Sequence, residues 1–323
     1  MKISKIIFIG GNRYKEDGPA LSFIEICKKN NIQVDILVDK ERIDYPTKTM
    51  GTFKEYLNEN NINYHVISEI STKIIKKLLE KNTIIVTVNC RWIIKEEIIQ
   101  LLNKNIYNYH NSSLPGQRGA ACHSWRLMQG INDSHLTIHK LTSKLDKGEI
   151  IINKRIKFPK SCTTLESSYK HIEKNEKDIF KKFIFLKKLV GKKQNEEKSY
   201  YWPRLDTLKH GLIDWSWSAK DIKLFCSSFD KPFKGASTYL NKKRVFFSGV
   251  KVVDTKIYFH PFQAGLVYRI SDEYFYVASI NGGLKIKEIK PENADKSFKV
   301  KLGQRFITPI EKLYSAKIDK PGY

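Results

Sequence analysis

Apolar and polar positions alternate in blocks along the first part of the chain. Residues 4–11 (SKIIFIGG) form a short run of β-branched and other apolar side chains that ends in glycine, a pattern typical of a strand buried on both faces. Pro19 then opens a stretch in which Leu21, Ile24 and Cys27 recur at helical spacing. Residues 33–39 (QVDILVD) return to a strand pattern.

The alternation of strands and helices continues beyond residue 39. Further strands are predicted at 63–69, 83–89 and 105–112, and helices at 53–61, 72–81 and 92–102. A helix between each pair of successive strands argues for βαβ units. We therefore predict an α/β fold with a doubly wound, mostly parallel, Rossmann-like sheet, whose ligands collect at the carboxyl ends of the strands.

The pattern changes in the second half of the chain. A strand at 134–142, a turn at 146–148, another strand and a long helical pattern at 165–189 complete the first part. Periodicity is lost around 192–210, and after it short strands and turns dominate. We expect a catalytic domain at 1–190, a linker at 191–210 and a smaller β-rich, barrel-like domain at 211–323.

Composition narrows the class of protein. Among the 323 residues, 41% are hydrophobic and the five cysteines form no C-x-x-C pair, so neither disulfides nor a metal site are indicated. No apolar run approaches the ~20 residues needed to span a bilayer, and we expect a cytoplasmic protein with no membrane partner. The net charge of +24 comes mainly from dispersed lysines. Two explanations of this charge remain open: the lysines are simply solvated surface residues, or they bind a polyanionic partner.

The densest polar cluster follows the fifth predicted strand. In the stretch NYHNSSLPGQRG, residues 108–119, the two-residue period of a strand sends Asn108 and His110 to the same face. Glycines at 10–18 (GGNRYKEDG) have the wrong spacing for a dinucleotide, and no P-loop is present, which argues against a nicotinamide cofactor.

Several ordered motifs resemble the folate-dependent formyltransferase family. They are N-x-H, S-L-P-x-x-R-G, T-x-H and L-D-x-G-[DE], carried here by Asn108, His110, Ser113, Leu114, Pro115, Arg118, Gly119, Thr137, His139, Leu145, Asp146, Gly148 and Glu149. Residues 211–240, with I-D-W and P-x-x-G-A, resemble the start of the carboxyl-terminal domain shared by methionyl-tRNA formyltransferases and sugar N-formyltransferases. One departure from the family pattern is Ser113, which stands where an apolar residue is usual.

The resemblance implies transfer of a formyl group from 10-formyltetrahydrofolate, the co-substrate, to an amine. It implies Asn108, His110 and Asp146 as catalytic residues, with the folate beside Asn89, Cys90, Arg91, Trp92, Ile93, Thr137 and His139. Formyl transfer is acyl transfer, so Asn108 and a protonated His110 are suited to donate hydrogen bonds to the oxyanion of the intermediate. Asp146 then either charges and orients His110 or accepts the proton that the amine sheds.

Several of these side chains have a second interpretation that stays open. His139 and Trp92 also fit packing roles, and Arg118 fits either a loop-positioning role or a phosphate contact. The aromatic residues Tyr200, Tyr201, Trp202, Trp215 and Trp217 fit packing at a domain junction as well as substrate contact.

The acceptor is predicted to be a nucleotide-linked amino sugar. Methionyl-tRNA formyltransferases carry a long basic loop after the second strand, whereas residues 40–51 (KERIDYPTKTMG) are short and contain no basic run. We therefore expect a sugar N-formyltransferase acting on a dTDP- or UDP-linked 3- or 4-amino sugar for surface polysaccharide (lipopolysaccharide O-antigen) synthesis. Its substrate contacts are expected from Asn12, Arg13, Lys15 and Arg118, and the protein is expected to form a homodimer. The alternatives are a methionyl-tRNA formyltransferase and a carboxyl-terminal module that binds RNA or a partner chain.

Overall fold

The computed structural model describes residues 3–12, 18–47, 51–102, 105–293 and 297–319. Backbone contacts divide the chain into two compact units. The first combines residues 1–119, 133–157 and 169–201, and the second combines 120–132, 158–168 and 202–323.

A seven-stranded sheet forms the centre of the first unit. Its strands are β1 Lys5–Gly10, β2 Gln33–Val38, β3 Asn63–Val66, β4 Thr83–Val88, β5 Ile106–His110, and, after the two-residue β6 Arg118–Gly119, β7 Asp133–Lys140 and β8 Ile150–Lys157. Their spatial order is β3-β2-β1-β4-β5-β7-β8. The first five strands pair in parallel, and β7 and β8 add antiparallel edges. The predicted doubly wound, mostly parallel sheet is confirmed.

Helices connect the parallel strands and pack their apolar side chains against the sheet. They are α1 Pro19–Lys29, α2 Phe53–Glu59, α3 Thr72–Leu78 and α4 Glu96–Leu101. Every residue of β1 and β4 is buried, as the continuous apolar runs predicted. One core cluster joins Ile7 and Ile85 of the sheet to Ile75 and Ile98 of the helices.

The helix boundaries that differ most from the sequence prediction are the start of α4 and the end of α6. Helix α4 begins at Glu96 rather than residue 92, because Lys95 is extended and the Trp92 indole N–H donates to the Ser68 carbonyl at 2.9 Å. Helix α5 spans Cys122–Met128, and α6, Leu165–Ile184, ends before the predicted residue 189. The apolar residues that follow α6 in the sequence do not extend its buried face, since Phe185 and Val190 are exposed.

The second unit is β-rich, as predicted. After the two-residue β9, Tyr201–Trp202, this unit contains helices α7 Thr207–His210, α8 Ala219–Phe229 and α9 Ile310–Ile318. Its strands β10 to β16 are Ala236–Leu240, Lys243–Ser248, Lys251–Val253, Val267–Ile270, Phe275–Ser279, Gly282–Ile286 and Glu288–Pro291. They form a three-stranded sheet, β10-β11-β16, and a four-stranded sheet, β12-β15-β14-β13. The adjoining strands pair antiparallel.

An apolar core holds this second unit together. Ile222 and Phe229 of α8 share it with Val245 and Phe247 of β11, and Trp215 stacks on Phe306 with ring centroids 6.2 Å apart. The core explains why Trp215 is buried within the second unit, which supports packing as its role.

Candidate active site

The register between β5 and β7 brings two of the sequence motifs together. Asn108 lies directly opposite His139, and His110 lies opposite Thr137. Each pair joins neighbouring residues on the adjacent strands β5 and β7. The N-x-H and T-x-H motifs therefore form one surface, although they are far apart in sequence. Asn108 is partly buried, and His110 and His139 are buried.

Asp146 reaches this surface from the loop that joins β7 to β8. The Gly119 amide donates to its Oδ2 at 2.9 Å, and Asp146 itself adopts a left-handed backbone with φ 48°. Gly148 is required in the same loop, because a Cβ atom there would lie 1.7 Å from the Lys140 carbonyl oxygen. The L-D-x-G motif thus describes a tight turn that delivers a carboxylate.

The predicted catalytic residues converge. The His110 Nδ1 lies 3.8 Å from Asp146 Oδ2, and the Asn108 Nδ2 lies 3.4 Å from Asp146 Oδ1. His139 also belongs to the cluster, with its Nε2 3.1 Å from Asn108 Nδ2 and 3.5 Å from Asp146 Oδ1. The distance from His110 to Asp146 is that of an ion pair, longer than a hydrogen bond.

The orientation of His110 is determined by a backbone carbonyl. Its Nε2 lies 2.6 Å from the Gln117 oxygen, and because a carbonyl only accepts, Nε2 carries a hydrogen. Nδ1 therefore faces the Asp146 carboxylate, which stabilises a second proton on the ring. The arrangement favours the imidazolium form, the form that donates a charge-assisted hydrogen bond.

Asp146 stays ionised in this environment. Burial would raise the pKa of its carboxyl group, but His110, His139 and the Gly119 amide outweigh burial and hold that pKa well below its ordinary value. A carboxylate with such a low pKa is a poor proton acceptor near neutral pH. Its position and negative charge suit it to stabilising the protonated, positively charged form of His110.

Gln194 holds the Asp146 loop, and no sequence motif pointed to it. Its amide nitrogen donates to the carbonyl oxygens of Asp146 and Gly148, both at 2.7 Å. Its amide oxygen accepts from the Arg118 guanidinium at 2.8 Å. Residue 194 falls in the stretch predicted as a linker, where the lack of periodicity gave no signal.

Arg118 makes protein contacts with its guanidinium. Besides Gln194 it binds both carboxylate oxygens of Glu196, at 2.8 and 2.9 Å, and Arg118 and Lys147 lower the pKa of Glu196 to about 2. Arg118 is 4% exposed. These contacts favour loop positioning over the predicted substrate contact.

The residues predicted to lie beside the folate occupy different surroundings. Asn89 has a left-handed backbone and donates to the Asn12 carbonyl at 3.0 Å, and Thr137 donates to the Ser112 carbonyl at 2.9 Å. Ile93 is exposed, and the Cys90 thiol contacts the Trp92 carbonyl. The backbone of residues 89–93 follows β4 at the carboxyl edge of the sheet.

Arg91 and Trp92 line a cavity of about 600 Å³ at the ends of β2, β3 and β4. Arg91 pairs there with Asp39 at 3.3 Å and with Glu41 at 3.5 Å. Burial would raise the pKa of Asp39, but Arg42 and Arg91 together hold it below its ordinary value. The Trp92 side chain is tied to Ser68 on this side, which supports its packing interpretation.

Asn12 lies fully buried just after β1. Neither its amide nitrogen nor its amide oxygen bonds to another atom among the residues that the structure describes. The other two predicted substrate contacts, Arg13 and Lys15, lie outside the described residues.

Ser113, the departure from the family pattern, has a polar partner. Its hydroxyl lies 2.8 Å from Nδ1 of His135 on β7. Burial lowers the pKa of His135, so the neutral ring available for this bond is favoured. The hydroxyl is therefore accommodated without disturbing the neighbouring Asn108 and His110.

The described part of the chain contains neither a metal-binding cluster nor a membrane-spanning helix. No cluster of three or more His, Cys, Asp or Glu side chains is arranged to hold a metal ion. None of the described helices combines the length and apolar character needed to cross a membrane.

Comparison with known proteins identifies the family. Residues 20–184 match the formyl transferase family, and residues 207–299 match the formyl transferase carboxyl-terminal domain. The chain therefore belongs to the formyl transferase family.

Curated relatives cover part of the chain and include two kinds of protein. The chain is 30% identical over 192 residues to the bifunctional polymyxin resistance protein ArnA of Wigglesworthia glossinidia brevipalpis, covering 56% of this chain and 29% of that protein. It is 28% identical over 213 residues to a methionyl-tRNA formyltransferase of Caldicellulosiruptor saccharolyticus, covering 66% of this chain and 68% of that protein.

Solved structures share the fold over most of the chain. An N-formyltransferase from Helicobacter canadensis, in complex with folinic acid and dTDP-3-aminofucose, matches with a TM-score of 0.66 at 19% identity, covering 89% of this chain and 99% of its own. WlaRD, a sugar 3N-formyl transferase studied with dTDP and 5-N-formyl-THF, matches with a TM-score of 0.64 at 17% identity, covering 91% and 99%. At these identities the comparison establishes the fold alone.

Proposed function

We propose that this protein transfers a formyl group from 10-formyltetrahydrofolate to the amino group of a nucleotide-linked amino sugar. The observation that carries the proposal is the convergence of Asn108, His110 and Asp146 at one surface of the sheet, with 3.8 Å between His110 and Asp146. Two hydrogen-bond donors beside one carboxylate are what acyl transfer to an amine requires.

The reaction begins when the neutral amine attacks the formyl carbon. A carbon–nitrogen bond forms, and the carbonyl electron pair moves to the oxygen. Asn108 Nδ2 donates one hydrogen bond to that oxyanion. The second comes from the Nδ1–H of the His110 imidazolium, which lies 3.8 Å from Asp146 Oδ2 and is therefore not hydrogen-bonded to it, while Asp146 stabilises the positive charge on the ring. When the intermediate collapses, the bond from carbon to N10 of the folate breaks, and N10 takes up the proton that the amine has lost.

Three observations support a sugar acceptor. Residues 40–51 lack the basic run that methionyl-tRNA formyltransferases carry after the second strand. Two solved structures, one with dTDP-3-aminofucose and one with dTDP, match this chain over nearly the whole of their own length. The fully buried Asn12 lies at the end of β1, where a doubly wound sheet receives ligands, and its amide has no hydrogen-bond partner among the described residues.

The finer substrate assignment belongs to the same proposal. The acceptor is a dTDP- or UDP-linked 3- or 4-amino-deoxy sugar, and its product is a precursor of a surface polysaccharide. The folate lies beside residues 89–93 and 137–146, and Arg13 and Lys15 contribute to binding of the nucleotide sugar. Arg13→Ala is expected to raise KM for the nucleotide sugar, and an unaltered KM would remove that contact.

A methionyl-tRNA formyltransferase is the second candidate function. The curated methionyl-tRNA formyltransferase at 28% identity and the net charge of +24 favour it. Phosphate contacts by lysines would give RNA binding that weakens steeply with salt.

One experiment separates these functions. The protein is incubated with 10-formyltetrahydrofolate and a panel of dTDP- and UDP-amino sugars, in parallel with initiator Met-tRNA, and products are analysed by mass spectrometry. We expect one formyl unit to be added to an amino sugar. Formylation of Met-tRNA alone would establish the second candidate, and formylation of no acceptor would refute the proposed function.

We also propose that two copies of the chain associate through the second unit. Helix α9 exposes Ile310, Tyr314 and Ile318 at i, i+4 and i+8, on one face. Its sequence IEKLYSAKI suits antiparallel self-pairing about Tyr314, since Ile310 then meets Ile318 of the partner subunit and Glu311 meets Lys317 of the partner subunit. Sedimentation at micromolar concentration should give a dimer, and Tyr314→Glu should give a monomer. A monomeric wild-type protein would contradict this proposal.

A further inference from the structure

The side-chain amide of Asn108 contacts a residue of the neighbouring strand β4. Thr87 is the Cα partner of Asn108 in the parallel pairing of β4 and β5, and it is 1% exposed. Its hydroxyl lies 2.7 Å from Asn108 Oδ1 and 3.3 Å from the Tyr107 carbonyl oxygen. The contact to Asn108 Oδ1 is the shorter of the two, and the hydroxyl donates its single hydrogen there.

The other end of the same amide faces His139 and Asp146. Nε2 of His139 lies 3.1 Å from Asn108 Nδ2, and Asp146 Oδ1 lies 3.4 Å from the same amide nitrogen. An ionised carboxylate only accepts hydrogen bonds, so an amide oxygen placed there would face a negative oxygen. Asp146 therefore fixes the amide with its nitrogen on this side, and the amide oxygen then points to β4, where the Thr87 hydroxyl donates to it.

This orientation has a chemical consequence. The contact between Asn108 Nδ2 and Asp146 Oδ1 is long, 3.4 Å, so the hydrogen on that side of the nitrogen is available to a developing oxyanion. A rotation of the amide by half a turn would present Oδ1 instead, an acceptor that repels the negative oxygen. We propose that Thr87 is a positioning residue that keeps the donor side of Asn108 towards the reacting oxygen, an inference that rests on the proposed function.

The predicted effect is on turnover. Thr87→Val replaces the hydroxyl by a methyl group of similar shape and leaves Asn108 Oδ1 unpaired. We expect kcat to fall about tenfold, with KM for both substrates within about twofold of wild type. Thr87→Ser keeps the hydroxyl and should restore kcat to within about threefold of wild type. Equal loss in the two variants, or a change in KM with kcat unaltered, would overturn the proposal.

A double-mutant cycle separates positioning from a merely structural role. If Thr87 acts only through Asn108, Thr87→Val should lower the residual turnover of Asn108→Ala by less than about twofold, measured over long incubations with mass-spectrometric detection. A further tenfold loss in that background would mean that Thr87 supports the fold rather than the amide. Thermal unfolding of each variant gives the matching measure of stability.

Nuclear magnetic resonance tests the orientation without any substrate. In protein labelled with ¹⁵N at asparagine, the Asn108 side-chain amide is assigned by its absence in Asn108→Ala. We expect one sharp pair of slowly exchanging proton signals in wild type and Thr87→Ser, and a broadened or doubled pair in Thr87→Val. An unchanged pair in Thr87→Val would overturn the proposal even if wild type formylates amino sugars. Conversely, a wild-type protein that formylates nothing would refute the proposed function whatever the spectrum shows.

Discussion

Replacing Asp146 by asparagine removes one charge from the site and changes little else. The side chains have nearly the same shape, and the oxygen that accepts from the Gly119 amide at 2.9 Å can remain in place. The loop contacts through Gln194 involve the Asp146 backbone and are also retained. The substitution therefore isolates the effect of the carboxylate charge on His110.

The separation of the charges sets the expected magnitude. His110 Nδ1 lies 3.8 Å from Asp146 Oδ2. At that separation two unit charges interact by about 4 kcal/mol with an effective dielectric constant of about 20. If the imidazolium donates to the oxyanion, most of this energy is lost from the transition state, and kcat should fall about 10³-fold.

The assay measures kcat for formyl transfer to the amino-sugar acceptor with both substrates at saturating concentration, and mass spectrometry quantifies the product. Asp133→Asn is a matched control, because Asp133 pairs with the exposed Arg155 and lies away from the catalytic cluster. The control should keep near-native kcat, and both variants should unfold cooperatively. A loss smaller than about tenfold in Asp146→Asn would refute the electrostatic reasoning, because that corresponds to only about 1.4 kcal/mol.

Four further predictions follow from the same contacts. Asn108→Ala should lower kcat by 10²–10³-fold, roughly the cost of one oxyanion donor, while the unfolding temperature changes little; near-native kcat would remove Asn108 from the mechanism. Because the folded-state pKa of Asp146 lies below its ordinary value, its carboxylate stabilises the fold above that value and the stabilisation is lost as pH falls through the acid range. The unfolding midpoint of wild type should therefore drop more steeply than that of Asp146→Asn below about pH 4, and parallel curves would contradict this. Gln194→Ala should lower kcat about five- to tenfold by releasing two carbonyls of the Asp146 loop, whereas Gln100→Ala on α4 should not. Limited proteolysis should cut first within residues 191–210, the predicted linker, and first cuts elsewhere would contradict that division.

The sheet was predictable because its signals are local. Continuous β-branched runs mark β1 and β4, which are buried along their whole length. The end of α6 was not predictable in this way, because apolar Phe185 and Val190 continue the pattern but remain exposed. The assignment of residues 120–132 to the second unit depends on through-space contacts that a linear pattern does not carry.

The catalytic cluster was partly predictable from motifs. N-x-H and L-D-x-G identified Asn108, His110 and Asp146, but the placement of His139 among them follows from the antiparallel register of β5 and β7. Thr87 and Gln194 contact Asn108 and the Asp146 loop from distant parts of the sequence, and no local sequence pattern marks them. For Arg118 the motif left loop positioning and a phosphate contact open, and the contacts of its guanidinium with Gln194 and Glu196 favour loop positioning.

The most direct test of the account is a crystal structure of the protein with a hydrolytically stable 10-formyl folate analogue and a nucleotide sugar that carries a hydroxyl group in place of the amine. It measures the distances from the formyl oxygen to Asn108 Nδ2 and to the nearer ring nitrogen of His110. Both distances should be about 3 Å, with Asn108 Oδ1 turned away towards Thr87. A formyl oxygen bound beyond hydrogen-bonding reach of both side chains, in an otherwise ordered complex, would contradict it.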